Sequence, residues 1–247
     1  MRHRRAPALL VLFVASLSSQ PRAAATDAPA VSQIVDRYIE ALGGRDQWAA
    51  IESMRLSGTY MFNGESFPFT ISRRRPDRFR LQIALQDQDS VEASNGRVSW
   101  RTRVRPGSSP LVLEADAATR FEEEWADFDG PLIDYRQKGH RVEWVGWADV
   151  DGVRCHHLQL HLASGNRQHW YLDKETYALV RKVTSQVHPR RGPYDRVWYF
   201  DSWRTVDGLS VPEFFEREDL QFVRAYEVTE VEFNLELPEA LFSPPRR

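Results

Sequence analysis

The only cysteine, Cys155, sits in the run Cys155-His156-His157-Leu158-Gln159-Leu160-His161, and His169 follows within a hairpin's length. Thiolate and imidazole are the usual zinc ligands, so a metal site is the first chemistry to test. On a strand, successive side chains point to opposite faces. Cys155, His157 and His161 then share one face, and His156 shares the other with Leu158 and Leu160. A two-residue turn at Ser164-Gly165 sets His169 opposite Leu160, on the leucine side. Ligands on opposite sides of a sheet do not converge on one ion, and His157 and His161, four residues apart on a strand, are separated by about 13 Å. A polar outer strand face accounts for these residues better. The expectation is no metal and no cofactor.

Catalytic patterns are sparse. The chain has no G-x-S-x-G elbow and no H-E-x-x-H pair. Glu122-Glu123-Glu124 lies in a helical stretch, where adjacent residues do not face each other, so it reads as a solvated face and not an acid-base pair. Asp201, flanked by Trp198, Phe200 and Trp203, is the one acid in a setting that could raise its pKa; alternation places it with Tyr199 and Trp203. One carboxylate is a thin basis for an enzyme, and the sequence predicts a protein that is not one.

The elements that would position any site are mostly strands. Phe67, Phe69 and Ile71 alternate with Pro68, Thr70 and Ser72; Phe79, Leu81, Ile83 and Leu85 alternate with Arg80, Gln82 and Ala84. Pro76 breaks the two runs apart, and Asn95-Gly96 turns the chain into a further strand whose apolar face is Val98, Trp100 and Val104. Three such strands describe a sheet with a wet back and an apolar hollow or core in front. Upstream, Val31, Ile34, Val35, Tyr38, Ile39 and Leu42 recur at helical spacing before Gly43-Gly44, a short helical piece carries Trp48 and Ile51, and Met54 to Phe62 forms a strand turning at Asn63-Gly64. Phe121, Trp125, Phe128 and Leu132 make one helical stripe, broken near Asp129-Gly130-Pro131, that would lie across the apolar face of the sheet. From His140 onward the chain reads as a meander of hairpins with turns at Asp151-Gly152, Ser164-Gly165 and Asp207-Gly208. The fold class is therefore mainly β (α+β): a curved antiparallel sheet of about ten to eleven strands forming an unclosed barrel, covered by an N-terminal helix and a central helical lid.

Arg2, Arg4 and Arg5, the apolar run from Ala8 to Leu17 and the small residues Ala23-Ala24-Ala25 follow the order of a secretory leader, and the run is too short to span a bilayer. Residues 1–25 are read as a signal peptide and residues 26–247 as a single domain. Removing the leader takes four of the 33 basic residues and none of the 35 acidic ones, leaving a net charge of about minus six that disfavours nucleic acid as a partner. A lone Cys155 forms no intrachain disulfide, and no cysteine follows the leader to take a lipid. The protein is expected in the periplasm, soluble, not lipid-anchored, and a monomer.

Arg75-Pro76-Asp77-Arg78-Phe79-Arg80, Asn95-Gly96-Arg97-Val98-Ser99-Trp100 and Leu241-Phe242-Ser243-Pro244-Pro245 resemble the signatures of the outer-membrane lipoprotein-sorting proteins, the LolA/LolB-like group. Ala41-Leu42-Gly43-Gly44 with Trp48, and Gly130-Pro131-Leu132-Ile133-Asp134-Tyr135, are similar to a larger periplasmic branch of that group. The resemblance runs over nearly the whole chain after the leader. It implies a half-barrel with a helical lid, here residues 119–135, over a hydrophobic cavity that accepts the acyl chain of a lipid or lipoprotein. It also implies that Arg75, before the proline, bonds lid backbone and latches the empty state; Arg73 and Arg74 leave that register open by a residue. The cavity lining would be Phe69, Ile71, Phe79, Leu81, Ile83, Val98, Trp100, Phe121, Trp125, Phe128 and Leu132. A packed core needs the same inward face, and a solvated edge arginine is the plain alternative for Arg75. Three functions follow: a carrier or chaperone for an acyl chain, a sensor or interaction module with an envelope protein partner, and a hydrolase using Asp201.

Overall fold

The computed structural model describes residues 30–102, 107–188 and 190–245; residues 1–25, expected to be a leader, and Val104 lie outside them. Two helices, α1 (Val31–Ala41) and α2 (Arg45–Ala49), precede six strands: β1 (Ser53–Phe62), β2 (Glu65–Arg74), β3 (Arg78–Ala84), β4 (Asp89–Asn95), β5 (Ser99–Arg101) and β6 (Leu111–Val112). A helix α3 (Ala115–Phe121) runs into a wider π turn (Glu122–Ala126). Seven strands follow: β7 (Arg141–Val150), β8 (Val153–His161), β9 (Arg167–Asp173), β10 (Leu179–His188), β11 (Gly192–Val206), β12 (Leu209–Asp219) and β13 (Phe222–Phe233).

All thirteen form one antiparallel sheet in the order β6-β5-β4-β3-β2-β1-β13-β12-β11-β10-β9-β8-β7. The two halves of the meander join where β1 pairs with β13, which leaves β6 and β7 as the edges of an unclosed, curved sheet. Curvature is aided at the β1–β13 seam by a bulge between Ser57 and Gly58. A Cβ at Gly58 would stand 1.9 Å from the Glu227 carbonyl oxygen, so only glycine permits this approach. The turns at Asn63-Gly64, Asp151-Gly152 and Asp207-Gly208 have positive φ at both residues, as tight hairpins require.

Alternation fills the concave side. Met54, Leu56 and Tyr60 of β1, Phe69 and Ile71 of β2, Phe79, Leu81 and Ile83 of β3, and Trp198, Phe215 and Tyr226 from the second half are buried in one core. Helix α1 lowers Ile34, Val35, Tyr38 and Ile39 into the same hollow, with Tyr38 edge-on to Trp170 at 5.9 Å.

The sheet differs from the sequence expectation in three places. It has thirteen strands, and β4 is one of the two extra. Its apolar residues Val91 and Ala93 pair with Gln82 and Arg80, so they face the back of the sheet and the hollow receives Ser90, Glu92 and Ser94. Trp100 pairs with Ala93 and is therefore turned to the back too. There it forms a separate small core with Val91 and Ala93, its indole N–H donating to the Phe242 carbonyl at 2.9 Å. Val98 lies in the β4–β5 turn, half-buried, in neither core. Both are removed from the expected lining.

The β8–β9 connection is a three-residue loop closed by Leu162 N–H to Asn166 O, so the register moves by one and His169 pairs with Gln159. One residue of slip changes the face. His169 joins His157 on the back, where their ring nitrogens meet at 2.9 Å. Third, the single stripe expected over residues 121–132 is α3, the π turn and then an irregular run of turns to residue 139.

A cavity beneath the central cover

The cover, residues 115–139, is sunk into the trough. Phe121, Trp125, Ala126, Phe128, Leu132 and Ile133 are all buried in the main core. The Trp125 indole is stacked on Phe79 at 5.0 Å and set edge-on to Trp198 at 4.9 Å, so one ring bridges the two halves of the sheet. Around it remains a cavity of about 190 Å³ bordered by Tyr38, Leu42, Trp48, Met54, Leu56, Ile71, Phe79, Phe128 and Phe215. That is somewhat above the roughly 150 Å³ that admits one benzene, and below the roughly 300 Å³ at which ligand pockets usually begin. With the cover down, the hollow takes a ring-sized apolar group and not a long chain.

Of the expected lining, Ile71, Phe79, Trp125 and Phe128 border the cavity, while Phe69, Leu81, Ile83, Phe121 and Leu132 pack in the same core around it. The other wall went unread: Trp198, Phe200, Trp203 and Phe215 come from β11 and β12.

Polar contacts hold the cover at its rim. Counting by twos from Phe69 and Ile71 puts Arg73 inward, and its Nη2 donates to the carbonyls of Trp125 at 2.5 Å and Asp127 at 2.6 Å. The backbone bonding expected of Arg75 is thus made by Arg73. Arg75 bonds the Asp129 carboxylate at 2.7 and 2.5 Å, reaches back to the carbonyls of Ile51 and Trp48, and lies over the Phe128 ring at 4.6 Å. Arg75 is therefore no solvated edge residue. The Asp129 hydrogen bonds outweigh its partial burial and hold its pKa above the ordinary value. Burial draws Arg73 down to about 10, which leaves it charged at neutral pH.

The three glutamates are not a solvated face. Glu122 accepts from the Ser99 hydroxyl at 2.8 Å, and Glu123 from Asn166 Nδ2 at 2.7 Å and from Ser164. Glu124, its side chain 2% exposed, accepts from Arg196 Nη1 at 2.5 Å and from the Trp198 indole at 2.7 Å. Burial is the largest single influence on Arg196 and acts downward; Glu124, Tyr194 and Asp219 together outweigh it and raise the pKa. Nearby Lys182 borders the cavity with its ammonium over the Trp198 ring at 5.3 Å, and burial brings it down to about 8 against the pull of Glu124. Glu124 also borders a second, polar cavity of about 670 Å³ that includes Arg101, Arg120, Arg190 and Arg196.

Asp201 is exposed, between paired positions at a bulge in β11, away from the cavity. Among the described residues, no group of three or more His, Cys, Asp or Glu is placed to hold a metal ion, and no helix is long and apolar enough to cross a membrane.

No protein-family model matches this sequence, and no curated protein matches it. Solved structures do. A protein of the DUF1329 family from Desulfovibrio piger superposes with a TM-score of 0.57 at 14% identity, over 86% of this chain and 97% of that one. A LolA superfamily protein from Nitrosomonas europaea gives 0.55 at 12% identity, over 87% and 98%. The fold is LolA-like. A domain from Vibrio parahaemolyticus classed as an outer-membrane lipoprotein-sorting protein matches this LolA-like chain with a TM-score of 0.54 at 12% identity, over 85% and 94%. Identities this low speak for the shared fold and for nothing finer.

Proposed function

We propose that this protein is a periplasmic carrier or chaperone that shields the acyl chain of a lipid or lipoprotein beneath the cover, which acts as a lid, with no covalent step. The observation that carries the reading is Trp125: one lid side chain fills the space between Phe79 and Trp198 that an alkyl chain would otherwise occupy. Lifting it joins the cavity to the space the ring vacates. Each methylene then buried contributes about 0.8 kcal/mol, so roughly ten of them offset the loss of several rim hydrogen bonds and the tryptophan's own packing. The naming of the Vibrio domain as a lipoprotein-sorting protein and the superfamily of the Nitrosomonas protein agree with this reading. Arg73 and Arg75 are the latches of the empty state, and the leader directs the monomer to the periplasm.

Purified protein should take up a fluorescent fatty acid such as cis-parinaric acid in about equimolar amount, with quenching of tryptophan emission. A protein that takes up none, and from which no lipid can be extracted, contradicts the reading.

A second reading, binding of an envelope protein, draws on β7. This ten-residue strand is a sheet edge and exposes Val145 and Trp147, so an extended partner segment could add a strand there. Capture of one stoichiometric protein, lost on replacing Gly146 by proline, would favour it.

A further inference from the structure

Glu124 and Trp125 are neighbours on the π turn and both border the first cavity, but Glu124 alone also borders the polar one. The indole goes to the apolar cavity and the carboxylate to a cluster of cations. That pairing of an acidic group with an apolar body has the form of a small amphiphile. The carboxylate is almost wholly buried, held by Arg196 and the Trp198 indole. Beyond Arg196, the Asp219 carboxylate is shared three ways: Arg196 Nε and Arg217 Nε each stand 3.3 Å from it, and Arg224 Nη1 donates at 2.8 Å. The Lys182 ammonium lies over the Trp198 ring and borders the apolar cavity.

When the lid rises, Glu124 must leave together with Trp125, because two adjacent residues of one turn move as a unit. Three guanidiniums then share Asp219, with Glu92 on the border of the same polar cavity and the Lys182 ammonium beside them, so four cations face two carboxylates. Excess positive charge on side chains as buried as Arg196 and Arg217 is unfavourable. A neutral alkyl chain replaces the indole and leaves that charge unanswered. An anion attached to the chain answers it.

We propose that the ligand is an amphiphile whose acidic head, a carboxylate or a phosphate, takes the place of the Glu124 carboxylate beside Arg196, Trp198 and Lys182. This rests on the carrier reading above and narrows it to acidic lipids. The polar cavity on the far side of Glu124, with Arg101, Arg120 and Arg190 on its border, gives a head larger than a carboxylate room to extend. Glu124 is then an internal stand-in that keeps the cation cluster satisfied while the carrier is empty.

The test compares cis-parinaric acid with its methyl ester on the full protein, stripped of lipid, by fluorescence titration at pH 7. The acid should bind at least about tenfold tighter than the ester, the size of one charge-assisted hydrogen bond. K182M and R196Q should bring that ratio toward one, whatever each does to the ester alone through the cavity wall or the closed state. E124Q should tighten both probes by the same factor, since it weakens the empty, closed state without touching the cations. If R196Q does not fold, K182M decides. Dodecanoate and dodecyl phosphate should each displace the probe, the stronger of the two naming the head, and inorganic phosphate at the same concentration should not. Equal binding of acid and ester, or variants that weaken both alike, or displacement by inorganic phosphate, overturns the proposal while the carrier reading stands. Binding of neither probe overturns both.

Discussion

Arg75 and Asp129 form a two-pronged ion pair, with guanidinium nitrogens 2.7 and 2.5 Å from the two carboxylate oxygens and side chains 22% and 18% exposed. The pair ties the residue after β2 to the central cover, and two further bonds from the same guanidinium tie it to the backbone around α2. A fork matching a carboxylate is a geometry lysine does not reproduce. R75K and D129N should each lower stability by about 1 to 3 kcal/mol, the range for losing one partner of a mostly buried charged hydrogen bond. Hydrogen exchange of residues 121–135 should quicken more than that of β12 and β13. Uniform quickening would show that the pair supports the fold at large and not the lid.

W125A should behave unlike an ordinary core truncation. Emptying the space between Phe79 and Trp198 costs about 3 to 5 kcal/mol in a typical core. Here an added fatty acid should restore much of that loss, because it fills the same space. Thermal denaturation with and without cis-parinaric acid measures this. Equal destabilisation in both would mean the chain does not enter where the indole sat.

Gly58 tests the seam between the two halves. Alanine there places a methyl group 1.9 Å from the Glu227 carbonyl oxygen, a backbone atom that cannot swing aside. G58A should cost about 1 to 3 kcal/mol and lower the melting temperature by roughly 2 to 4 °C for each kcal/mol. An unchanged melting temperature would mean that the β1–β13 bulge relaxes freely.

The histidine pair on the back of the sheet sets an acid limit. Burial chiefly, then the neighbouring His169 and Arg181, draws His157 down to about 4, and burial also lowers His169. The unfolded chain takes up these protons from about pH 6.5 downward, before the folded one does. The unfolded state then binds more protons between pH 6.5 and about 4, so the pair's contribution is present above pH 6.5 and is lost as pH falls through that window. Urea midpoints measured from pH 7.5 to 4.5 should decline, and the decline should be less steep in H157F. Equal slopes in the two proteins would contradict the assignment.

Much of the trough was legible in the sequence. Period two placed Phe69, Ile71, Phe79, Leu81 and Ile83 on one inward face, and three Asn-Gly or Asp-Gly dipeptides marked turns that have the required positive φ. The same counting puts Arg73 inward, two residues before the arginine singled out by resemblance. The reading failed where polarity is inverted. Strand β4 sends Glu92 and two serines into the hollow and Val91 and Ala93 to the back, so it does not alternate like a strand with its greasy side inside, and Trp100 went astray with it. Loop length decided His169, because three residues where two were counted turned it to the other face. Glu122, Glu123 and Glu124 were read as solvent-facing because adjacent helical residues diverge. That divergence is what lets one sunken turn reach β5, the β8–β9 loop and β11 at once.

Native mass spectrometry of the protein expressed from its full sequence and released gently from the cell tests the carrier reading most directly. It should show the chain without residues 1–25 carrying one lipid or acylated polypeptide, and the stripped protein should regain an equal mass of added fatty acid. A bare polypeptide in both preparations would mean that no chain enters beneath the lid.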